Sequence, residues 1–498
     1  MNVNPITRLD YPDPDVIRVE DTYYMVSTTM HFMPGCEILQ SFDLVHWEHV
    51  SYVYETLDHT DAQQLKSGQN IYGQGMWAAS LRYHEGRFYI CFVANDTRKT
   101  YLYTSEKIDG PWKKQLIEGF YHDGSLLFDE DGRSYIVYGN DEIWITELNE
   151  DLTAPKKDGL HRLLVSDHKN PELGYEGSHI QKINGYYYIF LVHSLRDRWM
   201  RTEACFYSDS LEGEFTGGDV LCDDRGYCGQ GVAQGGIVDT PDGKWYAMLF
   251  QDSGAVGRIP ILLPVTWKDH FPFFGQNGHV PEEIEVHSTR PGYIYQPLVG
   301  SDDFCNGLLP RWQFNHDPDP RYYHLDALQG TYTITTREVC TELTQAVNTL
   351  TQRMSYPSCA AEVTVDASAL KEGDVAGLCA LQSCYAAVGI TKHHGKYEVL
   401  MLDKKEDGIL DMTEGTVVES HQMDFRLEAD FCNMKDEARC YYRVNKGDWL
   451  PIGTVHKLYF KLDHFTGCRF GLFCYAAEET GGSACFRDFK YYDVDEIS

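Results

Sequence analysis

One pattern occurs five times in the first 290 residues: a short strand, a turn that contains Asp or Gly, and a second strand rich in tyrosine. The copies read DVIRVEDTYYMVST from Asp15, SLRYHEGRFYICFV from Ser80, SLLFDEDGRSYIVYG from Ser125, SHIQKINGYYYIFLV from Ser178 and GIVDTPDGKWYAMLF from Gly236. Repeats built only from hairpins are typical of four-stranded propeller blades. The alternating pattern excludes a helical solenoid, and a β-sandwich does not repeat one unit so regularly. The pattern therefore predicts an all-β fold that begins with a five-bladed β-propeller.

The repeat also predicts which side chains meet on the propeller axis. The equivalent tyrosines are Tyr24, Tyr89, Tyr135, Tyr188 and Tyr246. Eleven or twelve residues before them stand Asp13, Trp77, Asp123, Glu176 and Gln234. The innermost strands of a propeller surround its axis, so we expect these five side chains to face one pocket.

Three carboxylates in one pocket repel each other, which indicates a functional site rather than a stabilising device. Hydrolysis of a glycosidic bond needs a carboxylic acid to protonate the leaving oxygen and a carboxylate to activate water or to attack. A third carboxylate can raise the pKa of the acid, and Trp77 offers a flat apolar face for a sugar ring. Taken singly, Asp13 between two prolines and Asp123 before a glycine are ordinary turn residues; their common phase in the repeat favours the site.

Composition limits the partners and the compartment. The chain carries 75 acidic against 43 basic residues, a formal net charge of −32, which repels nucleic acids and anionic membranes and suits a neutral substrate. No apolar run is long enough to span a membrane. The 15 cysteines show no metal-site spacing, and the N-terminus shows no signal-peptide pattern, so we expect a cytoplasmic protein. Whether it forms a homo-oligomer stays open.

Several segments resemble glycoside hydrolase family 43. They are NPITRLDYPDPDVIRVEDTYYMVSTT, HFMPGCEILQSFDLVHWE, GMWAASLRY, HDGSLLFDEDGRSYIVYG and GYEGSHIQKINGYYYIF. The resemblance implies a five-bladed propeller and hydrolysis with inversion of anomeric configuration, as in β-xylosidases, α-L-arabinofuranosidases and arabinanases. It implies that Asp13 is the general base, Glu176 the general acid, and Asp123 the residue that orients the acid and tunes its pKa.

The second half resembles the C-terminal concanavalin-like β-sandwich of two-domain members of that family. The matching segments are GLLPRWQFNHDPDPRYYHL from Gly307 and FTGCRFGLFCYAAEETGGSACFRDFKYYD. We expect a propeller over residues 1–290, a linker over 291–302 that is rich in Pro and Gly, and a sandwich over 303–498. A sandwich packed against the propeller narrows the groove to a pocket, which favours exo action, whereas an open cleft would favour endo cleavage.

Further residues are expected to bind substrate beside Trp77. Arg258 interrupts an apolar run, so it is either paired in a core or directed into the site, and it matches a family arginine that reaches the substrate. Met30 and Phe32 are predicted to line the subsite. Gln234 stands where many members have a histidine that helps to hold a metal ion. No metal or cofactor is therefore expected to be required, although waters and carbonyls could still build a calcium site.

These observations predict an exo-acting, inverting hydrolase that releases terminal α-L-arabinofuranosyl or β-D-xylosyl units from hemicellulose-derived oligosaccharides. Of the two activities, they slightly favour that of an arabinofuranosidase. The alternatives are a non-catalytic sugar-binding propeller, an interaction scaffold, an endo-acting arabinanase or xylanase of the same fold, and a retaining fructosidase-like propeller enzyme.

Overall fold

Five antiparallel sheets of four strands each follow one another along residues 15–274. They belong to a computed structural model that describes residues 2–413, 415–461 and 464–493. Blade 1 consists of Asp15–Val19, Thr22–Val26, Gly35–Ser41 and Glu48–Tyr54. Blade 2 consists of Met76–His84, Arg87–Ala94, Lys99–Ser105 and Lys113–Ile117. Blade 3 consists of Ser125–Phe128, Ser134–Asn140, Glu142–Leu148 and His161–Ser166. Blade 4 consists of Glu176–Ile183, Tyr186–Ser194, Arg201–Ser208 and Thr216–Leu221. Blade 5 consists of Ala233–Asp239, Trp245–Asp252, Arg258–Lys268 and Phe271–Phe274.

The repeat forms blades because its turns and its apolar alternation agree. Both residues of the Glu85-Gly86 and Asn184-Gly185 turns have positive φ, which a tight hairpin of two central residues requires. A separate hydrophobic cluster fills each of the five gaps between successive blades, including the gap between blades 5 and 1. Among the repeat tyrosines, Tyr135, Tyr188 and Tyr246 are buried in these gaps. The predicted five-bladed propeller is confirmed.

The N-terminal segment closes the ring on blade 5. Asn2–Val3 pairs with Glu283–Ile284. The Asn4 side chain donates to the carbonyl oxygen of Leu262 (2.7 Å) and accepts from its N–H (3.1 Å). The start of the chain is therefore bound to the third strand of blade 5.

The C-terminal half is a sandwich of two antiparallel sheets around one large hydrophobic cluster. One sheet has nine strands: Leu410–Met412, Thr416–Val418, Lys396–Lys404, Tyr385–His393, Asp374–Leu381, Arg469–Ala476, Leu350–Arg353, Gln313–Asn315 and Phe32–Met33. The other has seven: Tyr323–Asp326, Thr331–Thr335, Ser483–Asp493, Ser358–Asp366, Gln422–Asp430, Glu437–Val444 and Leu450–Lys457.

Helical structure in the described residues is limited to single turns of 3-10 helix at Lys66–Gly68, Gly254–Val256, Leu343–Gln345 and Cys432–Met434. Across the described parts of the chain, no helix has the length and apolarity needed to cross a membrane.

The two domains share a sheet and a buried polar network. Phe32–Met33, which lies within the sequence of blade 1, pairs with Phe314 and Asn315 of the sandwich. Asp10 accepts one backbone N–H from Arg258 of the propeller and one from Gly467 of the sandwich, both at 2.7 Å. A Cβ atom on Gly467 would lie 1.9 Å from the carbonyl oxygen of Val256, so only glycine fits there. The expected domain boundary at residues 291–302 does not account for strand Phe32–Met33, which precedes the boundary in sequence but belongs to a sheet of the sandwich.

Candidate active site

Strand pairing gives an exact alignment of the five blades at the axis. Asp15, Ser80, Ser125, His179 and Gly236 are equivalent, because each pairs with the residue two positions after its repeat tyrosine. Two residues before each of them the backbone is left-handed: Asp13 (φ 52°), Ala78 (31°), Asp123 (48°), Gly177 (64°) and Gln234 (63°). We name these five residues the axial ring. Such conformations are costly for residues other than glycine and are concentrated at functional sites.

A second ring lies one residue earlier. We name Pro12, Trp77, His122, Glu176 and Ala233 the rim ring. The sequence count had placed Trp77 and Glu176 in register with Asp13, Asp123 and Gln234; this is corrected by one residue. The cause is the length of the first hairpin of each blade: the equivalent residue lies 11 positions before its strand partner in blades 1, 2 and 4 but 12 positions before it in blades 3 and 5, so a fixed count from the tyrosine shifts by one residue. Trp77, His122 and Glu176 are half-buried, whereas Asp13 and Asp123 are buried.

Asp13 is held on both carboxylate oxygens. Thr28 Oγ1 donates to Oδ2 (2.5 Å) and Arg258 Nη1 donates to Oδ1 (2.7 Å). Arg258 is itself buried and also bonds Asp252 through Nε (3.2 Å). Arg258 was expected either to be paired in a core or to point into the site. It does both, because the carboxylate with which it pairs is a residue of the site. A carboxylate held in this way has a fixed direction, which suits a group that must position water.

A second arginine lies behind this pair. Arg201 forms a close ion pair with Asp252, and both side chains are buried. Burial, together with the charge of Arg258, lowers the pKa of Arg201 to about 9. Neither Arg201 nor Asp252 was singled out from the sequence, since an isolated Arg and Asp on separate strands carry no motif.

Asp123 and Glu176 are linked through the backbone. The Gly177 N–H donates to Asp123 Oδ2 (2.9 Å), so the Asp123 carboxylate binds the residue that follows Glu176. A Cβ on Gly177, whose φ is +64°, would lie 2.7 Å from Gln234 Cγ, so any other residue here would have to displace the Gln234 side chain. Glu176 Oε2 accepts from Asn140 Nδ2 (2.7 Å).

His122 was missed by the sequence analysis. Its Nε2 atom lies 3.5 Å from Asp123 Oδ2 and 3.7 Å from Glu176 Oε2. Burial alone would lower the pKa of His122, but these carboxylates raise it to about 9. Counting back from the repeat tyrosine identified Asp123 in blade 3. His122 lies one residue earlier, so the count did not include it.

The pKa values of the carboxyl groups differ from the expectation that a third carboxylate raises that of Glu176. Burial raises the pKa of Asp123 to about 6, with a contribution from the charges of Glu176 and Asp13. Burial would also raise the pKa of Glu176, but the adjacent charge of His122 outweighs it, and the pKa of Glu176 is lowered. In the free protein the raised pKa therefore belongs to Asp123.

Aromatic rings from both domains form the rim of the site. Phe465 of the sandwich packs edge-on against Trp77, with 5.4 Å between ring centroids, and the Arg258 guanidinium lies 4.0 Å from the centre of the Phe465 ring. The His122 ring lies 6.2 Å from that of Trp77. The sandwich thus supplies a side chain next to the carboxylates.

Two predicted substrate contacts, Met30 and Phe32, are corrected because their side chains are buried between the domains. Met30 and Phe32 are 0% and 1% exposed. Thr466 Oγ1 lies 3.7 Å from Met30 Sδ, and the Arg469 guanidinium lies 3.5 Å from the Phe32 ring centre, so both side chains lie between the domains. The cause is the pairing of strand Phe32–Met33 with a strand of the sandwich, which directs this segment away from the pocket and towards the second domain. Gln234 is as buried as Asp13 and lines the same small axial cavity, so its contact with substrate stays a prediction.

The axial residues do not fit a calcium ion. The cavity beneath the carboxylates measures about 10 Å³, enough for one water molecule. Asp13 is paired with Arg258, and Asp15 with Arg82 (2.8 Å) and His179 (3.1 Å), so the carboxylates nearest the axis already have cationic or hydrogen-bonding partners. Calcium prefers six to eight oxygen ligands, which these residues do not provide.

Comparison with known proteins agrees with this architecture. Residues 3–272 match the family model Glycosyl hydrolases family 43, and residues 301–492 match Beta xylosidase C-terminal Concanavalin A-like domain. A β-xylosidase of Formosa agariphila is 26% identical, with 99% of this chain and 89% of that protein covered. A xylosidase/arabinosidase of Butyrivibrio fibrisolvens is 23% identical, with 99% of both chains covered.

A solved structure, a bifunctional GH43-CE protein of Bacteroides eggerthii, superposes with a TM-score of 0.92 at 42% identity. The superposition covers all of this chain and 64% of that protein, so the chain spans less than two thirds of that relative's length.

Proposed function

Because this chain belongs to glycosyl hydrolase family 43 and is a glycosidase, we propose that it is an exo-acting, inverting enzyme that releases terminal α-L-arabinofuranosyl or β-D-xylosyl units from hemicellulose-derived oligosaccharides. The proposal rests above all on the convergence of Asp13, Asp123 and Glu176 at one end of the propeller axis, beneath an aromatic side chain of the second domain.

The contacts of each carboxylate support a distinct role. Asp13 is aligned by Arg258 and Thr28 and accepts a proton from the attacking water. Glu176, on the half-buried rim and bonded by Asn140, delivers a proton to the leaving oxygen. Asp123 fixes the backbone that carries Glu176. One acid and one base on opposite sides of the sugar give inversion in a single step.

The relatives and the aromatic rim support a pentose as the sugar that is released. The Formosa protein is named a β-xylosidase and the Butyrivibrio protein a xylosidase/arabinosidase, and Trp77 and Phe465 offer a narrow aromatic rim that suits one terminal pentose. We therefore propose both pentosides as substrates. We also propose that the enzyme acts in the cytoplasm, since buried cysteines such as Cys36, Cys91 and Cys379 are free thiols.

The test compares hydrolysis of nitrophenyl α-L-arabinofuranoside, nitrophenyl β-D-xylopyranoside and xylobiose by wild type, Asp13→Ala and Glu176→Ala. Glu172→Ala, an exposed carboxylate four residues before Glu176, is the control. We expect each active-site variant to lose about 10²–10⁴-fold in kcat on xylobiose, and Glu176→Ala to lose less on the nitrophenyl substrates because their leaving group needs little protonation. Proton NMR of the first-formed sugar should show the inverted anomer. A retained anomer, or no turnover of any pentoside by wild type, would contradict the proposal.

A further inference from the structure

His122 is the residue that blade 3 contributes to the rim ring. Trp77, His122 and Glu176 occupy the same position in blades 2, 3 and 4, one residue before the left-handed residue of the axial ring. The position that brings Trp77 and Glu176 to the site therefore brings His122 there as well, with its ring 6.2 Å from that of Trp77. Blade position alone makes His122 a pocket residue.

The His122 ring stands between the two carboxyl groups that matter for proton donation. Its Nε2 atom is 3.5 Å from Asp123 Oδ2 and 3.7 Å from Glu176 Oε2. Nε2 is shielded from solvent and makes no hydrogen bond to any residue that the structure describes. A movement of about 0.8 Å would bring Nε2 into hydrogen-bond range of Glu176.

We propose that His122 is a positioning residue for proton donation: it holds a proton in the free enzyme and passes it to Glu176 when substrate fills the pocket. This inference rests on the proposed function, because it assigns the source of the proton that Glu176 delivers.

The proton balance closes over one turnover. The proton leaves imidazolium Nε2 for Glu176 Oε2, so a cation and an anion become two neutral groups and the charge of the pair is unchanged. Glu176 gives that proton to the leaving oxygen as the glycosidic bond breaks. Asp13 accepts one proton from the attacking water, whose oxygen bonds to the anomeric carbon. Solvent then takes the proton from Asp13 and returns one to His122.

Substrate binding supplies the driving force for the first transfer. A sugar in the pocket excludes water, and loss of water destabilises an ion pair relative to its neutral form. In the free enzyme the charged form is favoured by the surrounding groups: Asp123 and Asp13 stabilise the imidazolium, while Arg201 and Arg258 stabilise the Glu176 carboxylate. The raised pKa of His122, about 9, and the lowered pKa of Glu176 agree with a proton that resides on His122.

The first experiment measures kcat/KM against pH for wild type, His122→Gln and His122→Asn, on xylobiose and on a dinitrophenyl β-D-xyloside. His161→Gln, an exposed histidine of the same blade, is the control. Wild type should keep its xylobiose activity up to about pH 9, because one proton stays on the His122–Glu176 pair. In both His122 variants the alkaline limb should move to lower pH by at least about one unit, which gives roughly tenfold less activity at pH 8. On the dinitrophenyl substrate, which needs no acid, they should lose less than about threefold.

The second experiment observes the protonation state in wild type, and a variant is needed only to assign the signals. The ¹⁵N shifts of the His122 ring at pH 7, assigned by their absence in His122→Gln, should report imidazolium in the free enzyme and neutral imidazole with saturating xylose. If wild type is active but neither substitution moves the alkaline limb of the pH profile, the inference is wrong and the proposed function stands. Equal losses of activity on both substrates would have the same meaning. The same follows if His122 stays charged with xylose bound. A wild type that cleaves no pentoside would overturn the proposed function, and this inference with it.

Discussion

His31 provides a prediction whose size follows from its burial. The ring lies between the domains, with centroids 4.8 Å from Tyr72 and 4.9 Å from His316. It is 0% exposed, and neither ring nitrogen has a hydrogen-bond partner among the described residues. Burial, with the charges of His316 and His464, holds the pKa of His31 well below 6.5. The imidazole is therefore neutral when the protein is folded and takes up a proton below pH 6.5 only when it unfolds.

The sign follows from this difference in proton binding. A group whose folded pKa is depressed binds more protons in the unfolded state, so the stability of the folded state falls as pH drops through the unfolded pKa of 6.5. For one such histidine the loss is about 1.4 kcal/mol at pH 5.5 and less than about 0.1 kcal/mol at pH 7.5. Substitution by phenylalanine keeps a ring of similar size and removes this loss.

The assay is urea unfolding of wild type and His31→Phe at pH 5.5 and pH 7.5, followed by tryptophan fluorescence. Relative to wild type, the variant should be more stable at pH 5.5 than at pH 7.5 by about 1.4 kcal/mol. Because both proteins share every other titrating group, their contributions cancel in this comparison. His168→Phe, at an exposed histidine, should shift the unfolding free energy equally at both pH values. An equal difference for His31→Phe at the two pH values would refute the argument that its buried ring is neutral.

Three further predictions concern the site. Arg258→Met should destabilise the protein by about 3–5 kcal/mol and lower kcat, because it leaves buried Asp13 and Asp252 without this cation. Thermal unfolding measures the loss of stability and xylobiose kinetics measure kcat. An unchanged kcat would contradict the alignment of Asp13 by Arg258. Phe465→Ala should raise KM for pentosides about tenfold through loss of an aromatic wall, and an unchanged KM would place this sandwich residue outside the pocket. EDTA should leave kcat/KM and the melting temperature unchanged, because the axial cavity of about 10 Å³ is bordered by carboxylates that already have partners; a loss restored by calcium would contradict this.

Much of the site was predictable because a propeller converts a sequence period into a spatial one. The phase of Asp13, Asp123 and Glu176 in the repeat is sufficient to predict that they lie at one end of the axis. The first hairpins of blades 3 and 5 span one residue more than those of blades 1, 2 and 4, and this shift concealed the equivalence of His122 with Trp77 and Glu176. The register of a hairpin depends on its turn, so a residue count gives the spatial register only once the strand pairing is known.

The errors at Met30 and Phe32 have a different origin. Their segment lies in the sequence of blade 1, yet Phe32–Met33 pairs with strand Gln313–Asn315, which lies far beyond blade 5 in the sequence. Pairing between segments so distant in sequence depends on how the two domains dock, and no local pattern encodes it.

The sequence by itself determined the elements and their number: the alternation of apolar residues, the turn chemistry and the five-fold repeat are local properties, and local physics translates them directly into blades. Only the tertiary structure decided the ionisation of the site and its walls. Whether Asp123 or Glu176 has the raised pKa depends on the His122 charge less than 4 Å away, and the rim depends on Phe465 from the other domain. Electrostatic and packing energies vary with distances between residues remote in the chain, and those distances exist only once the chain has folded.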